Sequence, residues 1–150
     1  MIREITIDEL EATSGFTDLL DEYAEESAIA GMPPPAARMD TYRVLQEHGL
    51  LFVYAAMEGH RVVGFISVLA SVLPHYGRTV AVAESFFVAK AARSSLAGLK
   101  LLAVAEDKSR ALKSPGLLVS APYGGKLFEL LPKLKYTETN RVFFKRTCDA

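Results

Sequence analysis

From Thr79 to Leu112 the chain reads TVAVAESFFVAKAARSSLAGLKLLAVAEDKSRAL, and no other stretch restricts its fold as tightly. The part through Val88 is apolar, β-branched and aromatic, which predicts a short buried strand. The last part places Leu101, Leu102, Ala105, Ser109 and Leu112 at helical spacing, the core-facing stripe of a long helix. Between them, Arg93-Ser94-Ser95-Leu96-Ala97-Gly98 makes a turn of small residues carrying one guanidinium and two hydroxyls. A turn that opens a helix leaves backbone N–H groups free and sets the positive dipole end there. Strand, turn and helix together describe a cradle for phosphate. The same residues admit a plainer reading, with Ser94 or Ser95 serving as an ordinary helix cap.

The flanking sequence supplies the rest of an α/β domain. Met1 to Ile7 alternates loosely and predicts an opening strand. Phe16, Leu19, Leu20, Tyr23, Ala24 and Ala28 share one helical face, with Asp18, Asp21, Glu22, Glu25 and Glu26 on the other. That helix must stop near Gly31, because Pro33, Pro34 and Pro35 have no N–H to continue it. A second helix runs from about Ala36 to His48 and ends at Gly49. Leu50–Ala56, Arg61 to about Leu73, and the Val80 segment follow as three strands, the middle one apolar enough to be buried on both faces. After the long helix come a short strand at Leu117–Ser120, a helix from Lys126 to Leu134, and a closing strand from Thr137 to Arg146.

Composition narrows the class. With 150 residues, 50% hydrophobic and 23% charged, the chain predicts one domain, 1–150, able to bury a core. A net charge of −1 argues against a nucleic-acid partner or an anionic membrane surface. Cys148 is the single cysteine, so neither an internal disulfide nor a cysteine-based zinc site is expected, and His48, His60 and His75 lie at no metal-ligand spacing. With no basic-plus-apolar leader and no apolar run of about 18 residues, the expected address is cytoplasmic. Gly124-Gly125-Lys126 is not a nucleotide loop, since Leu127 stands where a hydroxyl is required.

The element order and the turn together resemble the GNAT superfamily of N-acetyltransferases over nearly the whole chain, Ile2 to Lys145. Arg93 and Gly98 match the first and last positions of its Arg/Gln-x-x-Gly-x-Gly/Ala signature, while Leu96 stands where the middle Gly is usual. Glu84-Ser85-Phe86-Phe87-Val88, followed by Arg93 and by Gly98-Leu99-Lys100-Leu101-Leu102, is similar to members found in bacteria and their phages. The resemblance implies a mixed central sheet of about six or seven strands with about four helices over both faces. It implies acetyl-CoA as cosubstrate, no metal, and transfer of the acetyl group to a primary amine by direct attack in a ternary complex. The acceptor would be a small molecule or a peptide.

Site residues follow from the same resemblance. Arg93, Ser94, Ser95, Leu96, Ala97 and Gly98 would hold the pyrophosphate, with Lys90 and Lys100 near the remaining phosphate. Backbone at Phe87 and Val88 would meet the pantetheine arm and thioester carbonyl, with Ser120 and Pro122 on the other side of a gap between splayed strands. Glu84 would take the proton from the amine. A carboxylate in so apolar a run is costly to bury and would have its pKa raised there; alternatively it faces solvent or pairs with a cation such as Arg61. The tyrosine that commonly protonates the leaving thiolate is missing, because Leu131 occupies its place, leaving Tyr123 or Tyr136 as substitutes. The acidic helix face is a solvated surface or a collector of cationic amines. Two other classes stay open: a non-catalytic CoA-binding or interaction module, and a structural domain without an acyl-CoA site. The third and closing strands could pair across a homodimer.

Overall fold

A computed structural model describes residues 1–148. Five strands form one sheet in the order β1 (Ile2–Glu4), β2 (Leu51–Glu58), β3 (Arg61–Leu73), β4 (Arg78–Val88), β5 (Leu117–Val119). The first three pairings are antiparallel and the last, β4 with β5, is parallel. That change of direction follows from connectivity: tight turns join β2 to β3 and β3 to β4, whereas β4 reaches β5 through a helix.

Helices cover both faces. On one lie α1 (Ile7–Glu11), α2 (Phe16–Ser27) and α3 (Met39–Glu47), around a core of Ile7, Leu10, Phe16, Leu19, Val53, Phe65 and Phe87. On the other lie α4 (Ala97–Ala111) and α5 (Lys126–Lys133), whose Leu101, Leu102, Ala105 and Leu131 meet Tyr54, Ile66, Val68, Ala81 and Ala83. β3 carries both cores, with Ile66 and Val68 fully buried toward α4 and Phe65 buried toward α2. Gly64 lets α4 settle close to the sheet. A Cβ there would lie 3.0 Å from the Phe87 carbonyl oxygen and 3.3 Å from Leu101 Cδ1.

Two expectations change. Among the described residues the sheet has five strands rather than six or seven, and the helices number five rather than four. The extra helix is α1, because the opening strand stops at Glu4. Thr6 then caps α1 reciprocally with Glu9: Thr6 Oγ1 accepts the Glu9 N–H at 3.2 Å and the Glu9 carboxylate accepts the Thr6 N–H at 2.8 Å. The missing strand is the closing one. Residues 137–148 belong to no ladder, and Val142 and Phe143 stand 90% and 89% exposed. Their alternation is real, but among the described residues no strand pairs with them.

Candidate active site

The site begins with a fault in β4. Ser85 pairs with Ser67 and Ala83 with Val68, so Glu84 is an extra residue, a β-bulge. Phe87 and Ser85 face α1–α3, while Ala83 and Ala81 face α4. The bulge aims Glu84 to the same side as Ser85. Its carboxylate accepts the Tyr42 hydroxyl at 3.0 Å and the Ser67 hydroxyl at 3.1 Å. Ser67 Oγ also lies 2.7 Å from Ser85 Oγ and accepts the Ser85 N–H at 3.1 Å.

α3 brings Tyr42 there. Gln46 accepts the Ile7 N–H at 2.8 Å and donates to the Ile5 carbonyl at 3.1 Å, while Arg43 holds Asp8 and Glu11. Burial, then the Glu84 charge, pushes the Tyr42 hydroxyl far above its ordinary pKa, so it stays protonated and donates. The same two causes raise Tyr23. Glu84 itself is exposed, not buried as a carboxylate in so apolar a run had suggested, because the bulge turns it out of the core. Arg61, offered as its partner, instead pairs with Asp18 at 2.8 Å.

Above this cluster, between α1–α3 and the sheet, is a cleft of about 380 Å³ including its open mouth. Its walls are Phe16, Leu20, Tyr23, Met39, Phe65 and other apolar groups, and Ser67, Ser85 and Tyr42 bring its polar atoms. Tyr42, Ser67 and Ser85 were absent from the sequence-derived candidates. The two serines carried a signal, since a hydroxyl in a buried strand must find a partner; Tyr42 carried none.

On the opposite edge β4 opens. β5 pairs only with Ala81, Val82 and Ala83, yet β4 runs on to Val88. The N–H groups of Ser85 and Ala89 point toward β3, so alternation turns those of Phe86 and Val88 to the edge that β5 leaves uncovered. Ser120, just past β5, is exposed across this notch. The Phe87 ring is elsewhere, buried against Tyr23 at 5.2 Å between ring centroids.

The turn beyond β4 is a 3₁₀ turn, Lys90–Ala92, followed by α4. Ser95 supplies a cap: its hydroxyl donates to the Ala92 carbonyl at 2.6 Å and accepts the Ala97 N–H at 3.2 Å. The Ser95 N–H is also taken, by Ala92, whereas those of Leu96, Gly98 and Leu99 find no acceptor among the described residues. Leu96 lies 61% exposed at the head of the helix. Arg93 is engaged by the protein: Nε donates to the Val88 carbonyl at 2.9 Å, Nη2 meets Glu26 at 2.7 Å, and the guanidinium lies 5.2 Å over Phe87. Lys90 reaches Glu26 at 3.7 Å and its backbone N–H donates to Glu22, so much of the acidic face of α2 is spent on this turn. Lys100 is exposed without an ion pair among the described residues.

Tyr136 donates to Glu106 at 2.8 Å on the flank of α4, and Leu131 is buried in the core. Tyr123 is 76% exposed beside Phe128. No group of three or more His, Cys, Asp or Glu among the described residues could hold a metal ion, and no helix there is long and apolar enough to cross a membrane.

The chain matches no protein-family model and no curated protein. Solved structures do resemble it. An aminoglycoside acetyltransferase from an uncultured soil metagenomic sample, in complex with sisomicin, superposes with a TM-score of 0.74 at 14% identity, covering 99% of this chain and 96% of that one. The aminoglycoside N-acetyltransferase AAC(6')-Iy in complex with CoA gives 0.71 at 17%, covering 99% of each. The ribosomal-protein-alanine N-acetyltransferase from Brucella melitensis biovar Abortus 2308 gives 0.70 at 17%, covering 98% and 99%. At these identities the likeness is one of fold.

Proposed function

We propose that this chain, built on the GNAT acetyltransferase fold, is an N-acetyltransferase that moves an acetyl group from acetyl-CoA to a primary amine. The observation that carries the proposal is the notch: an uncovered stretch of β4 lying next to unbonded amides at the head of a 15-residue helix. Helix-end amides favour a diphosphate, and open strand amides favour the amides and carbonyl of an acyl-pantetheine arm. The residues present fit that ligand. Leu96, Gly98 and Leu99 N–H groups would receive the diphosphate, Lys100 and the remaining donors of Arg93 would add charge, and Phe86 and Val88 N–H groups would meet the arm. Ser94, Ser95, Ala97 and Ser120 shape the two rims of the same path.

Chemistry then falls to few groups. The Val88 N–H would polarise the thioester carbonyl, a contribution of about 2.7–4 kcal/mol for a well-placed donor. Glu84 would take the ammonium proton, held in place for this by Tyr42 and Ser67, and the amine nitrogen would attack the carbonyl directly. The thiol that leaves has a pKa near 8.5, so water suffices to protonate it and no tyrosine is demanded.

Release of free thiol that depends on both acetyl-CoA and an amine tests the proposal. A second reading, a CoA-binding module without turnover, draws on Leu96 at the head of α4, on Arg93 engaged with Glu26, and on Leu131 in the core. It predicts that acetyl-CoA raises the Tm with no thiol released; no Tm rise at saturating acetyl-CoA would remove both readings. The exposed Val142 and Phe143 favour a homodimer in which residues 137–148 add a strand to a second copy. Light scattering that gives a monomer mass at every concentration would remove it.

A further inference from the structure

We propose that the acceptor is a monoamine on a compact apolar body, aryl or branched alkyl, and not a polyamine or an amino sugar. This deepens the acetyltransferase reading and rests on it. The cleft beside Glu84 is narrow: its empty space is about 380 Å³ even when the open mouth is included, so only a compact body can enter. Its walls bring Phe16, Leu20, Tyr23, Met39 and Phe65, and its polar atoms gather at one end, where Tyr42 and Ser67 donate to Glu84.

That polarity is one-sided. Glu84 offers one carboxylate to one ammonium, and Tyr42 and Ser67 hold that carboxylate in place. The hydroxyl protons of Tyr42 and Ser67 are committed to Glu84, and what the cleft keeps beyond that carboxylate is neutral hydroxyl oxygen, with no second charge to balance a second ammonium. The carboxylates of α2 do not add a second site inside the cleft: Asp18 pairs with Arg61, Glu22 with the Lys90 N–H and Glu26 with Arg93, while Asp21 and Glu25 are exposed and are not part of its lining. A second charge inside the cleft would lie against apolar carbon without a partner, a heavy penalty. An apolar body would instead gain by leaving water.

The test compares 2-phenylethylamine with spermidine on the full chain at saturating acetyl-CoA, by thiol release and by ligand-observed NMR. The proposal expects a kcat/KM at least about tenfold higher for 2-phenylethylamine, and NMR binding for it alone. Ala37, exposed in the loop before α3 and lining the cleft, is the lever: Ala37→Glu adds a carboxylate to the apolar wall without touching the core. It should reverse the preference while leaving acetyl-CoA affinity unchanged. Spermidine equal to or better than 2-phenylethylamine, or no NMR binding of 2-phenylethylamine, overturns the inference. Failure of acetyl-CoA to bind in calorimetry sinks the acetyltransferase reading instead, so the two failures are separable.

Discussion

Replacing Arg93 by Ala should cost stability and CoA affinity together, whereas replacing its partner Glu26 by Gln should cost a little stability and improve affinity. The guanidinium makes three contacts. Its ion pair with Glu26 at 2.7 Å joins side chains 32% and 35% exposed, so solvent leaves about 0.5–1 kcal/mol of it. The bond to the Val88 carbonyl at 2.9 Å contributes about 1 kcal/mol, and the Phe87 face about 0.5 kcal/mol. Arg93→Ala therefore loses about 2 kcal/mol, a Tm drop of roughly 4–8 °C for a chain of this size. In Glu26→Gln the guanidinium is freed from its competitor, and CoA should bind roughly two- to fivefold tighter, the same 0.5–1 kcal/mol read as affinity. Calorimetric titration with CoA alongside thermal denaturation measures both. Glu25→Gln, an exposed neighbour with the same change of charge, controls for the overall field. If Glu26→Gln weakens CoA binding as Arg93→Ala does, the carboxylate aims the guanidinium at the ligand, and the competition argument is wrong.

Glu84→Gln should lower kcat by about 10²-fold or more while acetyl-CoA affinity stays within about twofold; equal losses in both would remove the proton-acceptor role. Gly64→Ala forces a Cβ to 3.0 Å from a backbone oxygen that cannot yield, so a loss of about 1–3 kcal/mol and a Tm lower by roughly 3–10 °C are expected in a melting curve. The Arg93 hydrogen bond holds the Glu26 carboxyl below its ordinary value of 4.5. Its stabilisation is thus fully present above pH 4.5 and fades as pH falls through the lowered folded value. Melting curves of the parent and Glu26→Gln should accordingly differ at pH 7 and converge in acid; a constant gap would contradict this.

Much of the architecture was legible because the character of the chain changes so cleanly at Arg93. The run to Val88 is apolar, β-branched and aromatic, the run from Leu101 repeats at 3.6, and a strand and a helix form there, although the bulge at Glu84 breaks the strand's alternation. The cap at Thr6 was legible too, since Thr6-Ile7-Asp8-Glu9 carries the capping pattern, but the alternation of Ile2, Ile5 and Ile7 masked it. Thr137–Arg146 was misread for a different reason. Alternation reports what a segment could pair with, and nothing local tells whether a neighbour exists. Tyr42 lay beyond reach because it acts on Glu84 across 42 positions of chain, through a helix whose placement depends on Gln46 and Arg43. Arg93 stands out in the sequence as the one guanidinium of its turn, yet its engagement with Glu26 depends on where α2 crosses the end of β4.

The irregularity at Glu84 carries one more implication. On either side of it every side chain already points where an unbroken ladder would send it: Phe87 and Ser85 one way, Val88, Ala83 and Ala81 the other. Excising this single position would let Ser85 and Ala83 become ordinary neighbours opposite Ser67 and Val68, with no other residue displaced to the wrong layer. The domain's architecture is therefore indifferent to the one carboxylate on which its chemistry would turn, and a shortened chain of 149 residues, well folded and inert, is what that indifference looks like at the bench.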